Sequence, residues 1–182
     1  MPVKEALTLK GATFAYGRQM GKTLILPVRW NLATAKPVLG TNPTEKLLTN
    51  GIRGSLKYSD FEWCSWADND SVSFTIDLLK PEMLNTLTLG CITNNGMAIH
   101  KPASVRVEVS DDNSKFREAV VQSFTSEEIF REGNFIENLS LKLGGTQARY
   151  VRVTAKGPGV CPASHVRPGQ TSRIFFDEVM LE

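Results

Sequence analysis

The sequence predicts an all-β domain whose antiparallel strands pack as a sandwich or barrel. Three observations predict it. From Ser71 onward apolar residues recur at every second position in short runs, the period of a half-buried strand. Turn-forming residues separate these runs, leaving no room for the dozen-residue helical crossovers a parallel sheet needs. Only Ser126 to Arg131 has helical character, and that is one short turn. Short strands joined by turns pack as two antiparallel layers.

Residues 1–22 lack a clear period and read as a linker, a hairpin or an N-terminal extension, which puts the domain at 23–182. Thr23 to Trp30 (TLILPVRW) reads as a strand interrupted by Pro27, hence an edge or a bulge. Val72, Phe74, Ile76 and Leu78 alternate with Ser73, Thr75 and Asp77 until Pro81 stops the run. Leu87, Leu89 and Cys91 form the next strand, closed by Asn94-Asn95-Gly96. Val105, Val107 and Val109 alternate with Arg106, Glu108 and Ser110, and Asp111-Asp112-Asn113-Ser114 supplies a turn. Leu139, Leu141 and Leu143 precede Gly144-Gly145; Val151, Val153 and Ala155 precede Gly157-Pro158. The last strand runs from about Arg173 to Leu181.

A chain of 182 residues suits one domain, and 41% hydrophobic with 22% charged residues is ordinary for a soluble globular protein. The net charge of +2 is scattered, so no basic stripe argues for nucleic acid or anionic lipid. No apolar run is long enough to span a bilayer as a helix. Met1 is followed by Pro-Val-Lys-Glu, without the apolar core of a signal peptide. Cys64, Cys91 and Cys161 are irregularly spaced and match no zinc pattern; they are expected as free thiols, with a single internal disulfide as the alternative.

Three stretches carry a resemblance: "LLTNGIRGSLKYSDFEWCSW" (Leu47–Trp66), "HKPASVRVEVSDDNSKFREA" (His100–Ala119), and "ARYVRVTAKG" with "RIFFDEVMLE" (Ala148–Glu182). In order and spacing they resemble the discoidin-type domain, also called the coagulation-factor type C domain, and most closely the carbohydrate-binding modules of family 32. The resemblance implies a galactose-binding-like jelly roll of about eight strands, non-catalytic, with a carbohydrate partner. "NGIRGS", the Pro-x-x-His loop and "FFDEV" also look like the C-terminal accessory domain of bacterial family 20 glycoside hydrolases, the β-hexosaminidases or chitobiases. A catalytic barrel does not fit in this length beside the module. The chain is therefore expected to be the tail of such an enzyme, secreted, periplasmic or at the cell surface, with the catalytic domain of the same parent chain as its neighbour.

The family resemblance also implies a structural calcium between the first turn and the last strand. Carried over, its ligands are the carbonyls of Leu48 and Arg53, the Asn50 side chain, Ser55, the Phe176 carbonyl and the Glu178 carboxylate, oxygen donors that suit a hard cation. The family's Asp is Asn50 here, which removes a formal charge and weakens the expected site. On the residues alone, Glu178 reads as solvent-facing, because Phe175, Val179 and Leu181 share the other face; Asp177 on that apolar face stands out.

The loop "KGPGVCPASHVRPGQTS" raises a separate question about Cys161 and His165. A thiol–imidazole dyad needs a third group to orient the histidine, and none lies close in sequence. Two histidines cannot make a three-histidine zinc site. Sugar hydroxyls instead suit fork-like donors on a stiff loop: His165, Arg167 and Gln170, with Pro162 and Pro168 lowering the ordering cost. Asn94, Asn95, Met97 and His100 sit on a second loop expected at the same end, and Trp66 reads either as a stacking ring or as core. A structural role for His165, closing the sandwich or docking a barrel, stands beside the sugar reading. For the whole domain, a wedge that binds no sugar and a protein- or lipid-binding module are the alternatives.

Overall fold

The computed structural model describes residues 7–66 and 71–182. Its strands are β1 (Leu7–Ala15), β2 (Arg18–Val28), β3 (Val38–Leu39), β4 (Cys64–Trp66), β5 (Ser71–Asn94), β6 (Ser104–Ser110), β7 (Arg117–Ser123), β8 (Asn134–Lys156) and β9 (Ile174–Leu181). All pairings between them are antiparallel. Among the described residues the one α-helical turn, Ser126–Ile129, is held by a reciprocal cap between Thr125 and Glu128.

β5 and β8 pair from Ser71 with Lys156 to Asn94 with Asn134. Two register shifts bend this ribbon. Residues 78–81 bulge out of β5, with Leu79 at φ 71°, and residues 143–145 bulge out of β8, with Gly144 and Gly145 at positive φ. Pro81 and the Gly144-Gly145 pair therefore do not end their strands, as the sequence led us to expect. Pro81 sits in a bulge, where its missing N–H costs no ladder bond. Beyond the bends each strand enters a second layer. One layer joins the first half of β5 and the second half of β8 to β3, β6 and β7; the other joins their remaining halves to β9 and, through it, β4.

The alternation in the sequence decides what lies between the layers. Val72, Phe74, Ile76, Val105, Val107, Val109, Val151 and Val153 come from one layer, and Leu87, Leu89, Leu139, Leu141, Phe176, Val179 and Leu181 from the other. All belong to one buried cluster, an arrangement that fits the all-β sandwich expected from the strand periods. Trp66 bridges the layers, stacked on Phe74 with centroids 6.2 Å apart and edge-on to Phe176 at 5.6 Å. At 7% exposure it is a core residue, which corrects its placement among the sugar-contacting candidates. A second, smaller cluster of Trp63, Ile92, Ile99 and Phe175, with Tyr58, Met97 and Ile136 against it, lies outside the main core.

β1 and β2 stand apart as a two-stranded hairpin turning at Tyr16-Gly17, both at positive φ as a primed two-residue turn requires. The strand expected over Thr23–Trp30 runs instead from Arg18 to Val28, so the boundary expected between residues 22 and 23 falls inside it.

Truncating the bridging ring should expose how much the core depends on it. Trp66→Ala is expected to cost about 3–5 kcal/mol in urea unfolding; a stacking ring at a binding rim would leave stability nearly unchanged.

Candidate functional site

Two acidic side chains lie where a sandwich core should hold none. Leu89 pairs with Val179 and Cys91 with Phe176, so the single residue Gly90 faces two, Asp177 and Glu178. This β-bulge keeps both Phe176 and Val179 on the core side and sends the intervening pair of acids into buried positions. The solvent-facing reading of Glu178 is thereby corrected: it is fully buried, as is Asp177. Asp177 Oδ2 accepts from Arg53 Nε at 2.7 Å and from the Gly54 N–H at 2.8 Å, tying the 51–54 turn to β9. Arg53 Nη2 reaches on to Asn138. Gly90 makes room for this pair, because a Cβ there would collide with Asp177 Oδ1 and the Arg53 guanidinium. Glu178 Oε2 accepts from the N–H of Gly51, whose φ of +77° favours glycine.

Glu178 Oε1 is buried without a hydrogen-bond partner, which calls for a proton or a cation. Of the donors that the family resemblance assigns to calcium, Glu178 and the side-chain Oδ1 of Asn50, which accepts from the Ile52 N–H, remain suited to a cation. Ser55 is committed elsewhere: its hydroxyl bonds Asp60 and its carbonyl accepts from Trp63 Nε1. Arg53 directs its positive charge at Asp177. The fit is therefore partial, centred on Glu178, Asn50 and the turn carbonyls.

Burial, reinforced by the charge of Asp177, raises the Glu178 carboxyl from 4.5 to about 8. A raised native value means that the folded chain keeps a proton the unfolded chain has lost. Its stabilising contribution is complete below about 4.5 and disappears as the pH rises through 8. His100 works at the acid side: burial lowers it from 6.5 to about 4, so its destabilising effect begins only below 6.5. Between pH 6.5 and 8, with chelator present, the wild-type chain should lose about 1.5 kcal/mol more stability than Glu178→Gln. Equal slopes for the two proteins in paired urea titrations would refute this assignment.

At the other candidate site, the loop after β8 meets the loop after β5. Ile99 bridges to Arg173, the His100 N–H donates to the Arg173 carbonyl, and the Arg173 N–H donates to Ala98. The two loops expected at one end are thus joined. His165 and His100 contact ring to ring, centroids 5.0 Å apart, with the Phe130 ring 5.1 Å from His100. Both histidines are buried, so their expected place as exposed sugar donors is corrected. Asn95 is also buried, and Met97 packs on the second cluster. Arg167 and Gln170 are exposed and paired, Nη1 to Oε1 at 3.3 Å, and Asn94 is half-buried. Beneath them Cys161 anchors the loop, its N–H donating to Gln170 and its carbonyl accepting from Gly169.

Sequence reasoning missed the meeting of Cys161 with His100, which no spacing signals. It also missed Phe61, 93% exposed in the loop before β4. The three cysteines are free, as expected, and buried; burial pushes the Cys64 thiol up to about 12. A groove of about 440 Å³ lined by Asp111, Asp112, Lys115, Phe116 and Arg117 and another of about 250 Å³ between β2 and the 52–62 loop lie away from Arg167 and Gln170.

The chain belongs to the F5/8 type C domain family, whose sequence model matches residues 33–166. No curated protein matches the sequence. Among solved structures, the module CpGH89CBM32-6 of Clostridium perfringens is similar at a TM-score of 0.55 and 18% identity, covering 84% of this chain and 98% of its own. A fucose-binding module of Streptococcus pneumoniae, SpX-3, is similar at 0.51 and 18% identity, covering 84% and 97%. The lectin domain of lectinolysin, solved with Lewis B antigen, is similar at 0.54 and 16% identity, covering 84% and 96%. At these identities the likeness establishes the fold.

Proposed function

We propose that the protein is a non-catalytic carbohydrate-binding module for galactose- or N-acetylhexosamine-type ends, attached to a secreted glycan-degrading enzyme of the β-hexosaminidase or chitobiase kind. One observation carries the reading: the exposed Arg167–Gln170 pair sits on a loop whose base is fixed by buried Cys161 and His165. A guanidinium and a carboxamide offer fork-like donors and an acceptor to vicinal hydroxyls. A prefixed loop lowers the ordering cost of using them. Asn94, at the end of β5 where the neighbouring loop begins, is the further polar group assigned to the rim. Membership of a family whose structural neighbours include a fucose-binding module and a lectin domain supports the class of ligand. Tethering the enzyme to its polymer by a weak site raises its local concentration.

A second reading is favoured by the hairpin. Leu9, Phe14, Tyr16, Met20, Leu24 and Ile25 are all exposed on β1, β2 and their turn, and apolar surface left exposed in this way can serve for docking. In that reading the domain is a wedge packed on the catalytic domain of its parent chain and binds no sugar.

A glycan array on the folded 182-residue chain separates the two. Binding to galactose- or N-acetylhexosamine-terminated glycans, weakened about tenfold or more by Arg167→Ala, is expected on the first reading. Silence across the array from a cooperatively folding protein favours the wedge.

We also propose that Glu178 and Asn50 hold a structural calcium. Millimolar calcium should then raise the melting temperature of the wild-type chain and leave Glu178→Gln unmoved. An unchanged wild-type melt removes calcium from the account.

A further inference from the structure

The sugar reading uses Arg167 and Gln170 and leaves three buried groups beneath them unexplained. Donor atoms of His100, Cys161 and His165 all lie within 4.8 Å of one another. Their residues are 0%, 3% and 8% exposed. Neither ring nitrogen of His100 meets hydrogen-bond geometry, although the Ile129 backbone approaches the ring, and Nε2 of His165 has no partner. Buried imidazole nitrogens are normally satisfied, so one nitrogen of each ring meeting the Cys161 sulfur asks for a common partner. Phe130 closes the site on one side.

We propose that His100, Cys161 and His165 bind one zinc-type dication that clamps the loop after β8 to the loop after β5. The donor chemistry selects the metal. A thiolate with two imidazoles suits a borderline-soft ion and is wrong for calcium or magnesium, which take oxygen. Zinc bonds of about 2.0–2.3 Å set donors roughly 3.3–3.8 Å apart in a tetrahedron, so the cluster contracts by about an ångström on loading. Three protein ligands leave the fourth position to solvent. The Ser172 hydroxyl, 3.3 Å from the Cys161 sulfur, then donates to the thiolate, which can only accept.

His165 sets a specific condition. Its Nδ1 accepts from the Arg167 N–H at 3.0 Å, so in the metal-free chain the ring proton is on Nε2. Coordination through Nε2 shifts that proton to Nδ1, and two donors then face each other. The Arg167 amide must swing away as metal binds. Loading the site thus reaches directly into the segment that displays Arg167 and Gln170.

The test uses the 182-residue chain, stripped with chelator and titrated with cobalt(II) and then zinc. One cobalt per chain is expected, with intense tetrahedral visible bands and a near-ultraviolet thiolate-to-cobalt band that zinc bleaches. Cys161→Ser should abolish the thiolate band and weaken zinc binding by more than about tenfold, since even outer-shell partners of a metal are worth that much. Cys64→Ser, which alters a core thiol beside Thr44, should retain the band. No cobalt uptake, a weak octahedral spectrum, or a thiolate band that survives Cys161→Ser would overturn the proposal. Nitrogen NMR of the wild-type chain gives a second readout that needs no variant. Zinc should move the protonated nitrogen of His165 from Nε2 to Nδ1 and shift the Arg167 amide, and unchanged signals for both would equally overturn it.

Discussion

The long antiparallel pairing of β5 with β8 is the constraint on which the rest of this fold hangs. Both strands bend at bulges and so belong to both layers. Every other strand of the sandwich pairs with one of them or with a strand that does. Because the layers share these strands, hydrogen bonding is continuous around the bend, and the interlayer core of branched aliphatics and Trp66 has only to fill a space already framed. The ends of the same two strands also place the loops: the turn after Asn94 and the loop after Lys156 leave the sheet where Ile99 can bridge to Arg173.

The two candidate sites use this frame differently. The carboxylate site is internal, made by one bulge and one glycine. Asp177 faces a guanidinium that neutralises it, while Glu178 accepts one hydrogen bond, from the Gly51 N–H, and its second oxygen has no partner. Neighbouring acids, equally buried, thus differ in chemistry because one has a cation beside it and the other has only a backbone N–H. The loop site is layered: histidines and thiol inside, arginine and glutamine outside. The grooves beside Asp112 and beside β2 lie elsewhere on the sandwich.

Much of the sandwich was legible in the sequence because burial on one face imposes a period of two. Val105, Val107 and Val109 needed no structure to be placed inside, nor did Val151 and Val153. The family resemblance of Leu47–Trp66 and its companions agreed with the match over residues 33–166. Three features were not legible, each for a physical reason. Pro81 signals a stop, yet a bulge absorbs a missing N–H, so local chemistry misread a continuous strand. The period of β9 slips by one between Phe176 and Val179, so counting from Phe175 put Glu178 on the wrong side. His100 and Cys161 meet only because two loops fold together, and sequence spacing carries no record of that.

The bulge in β9 has a consequence for how such a domain can change. The burial of two acids rests on chain length more than on residue type: one surplus position separates Phe176 from Val179. Shorten the strand there by a single residue and the ladder closes with regular alternation. Phe176 and Val179 stay inside, and the one remaining acid turns to the outer side with Phe175 and Met180. A deletion, which usually wrecks a central strand, would here erase an ionisable interior while leaving the hydrophobic inventory of the sandwich intact.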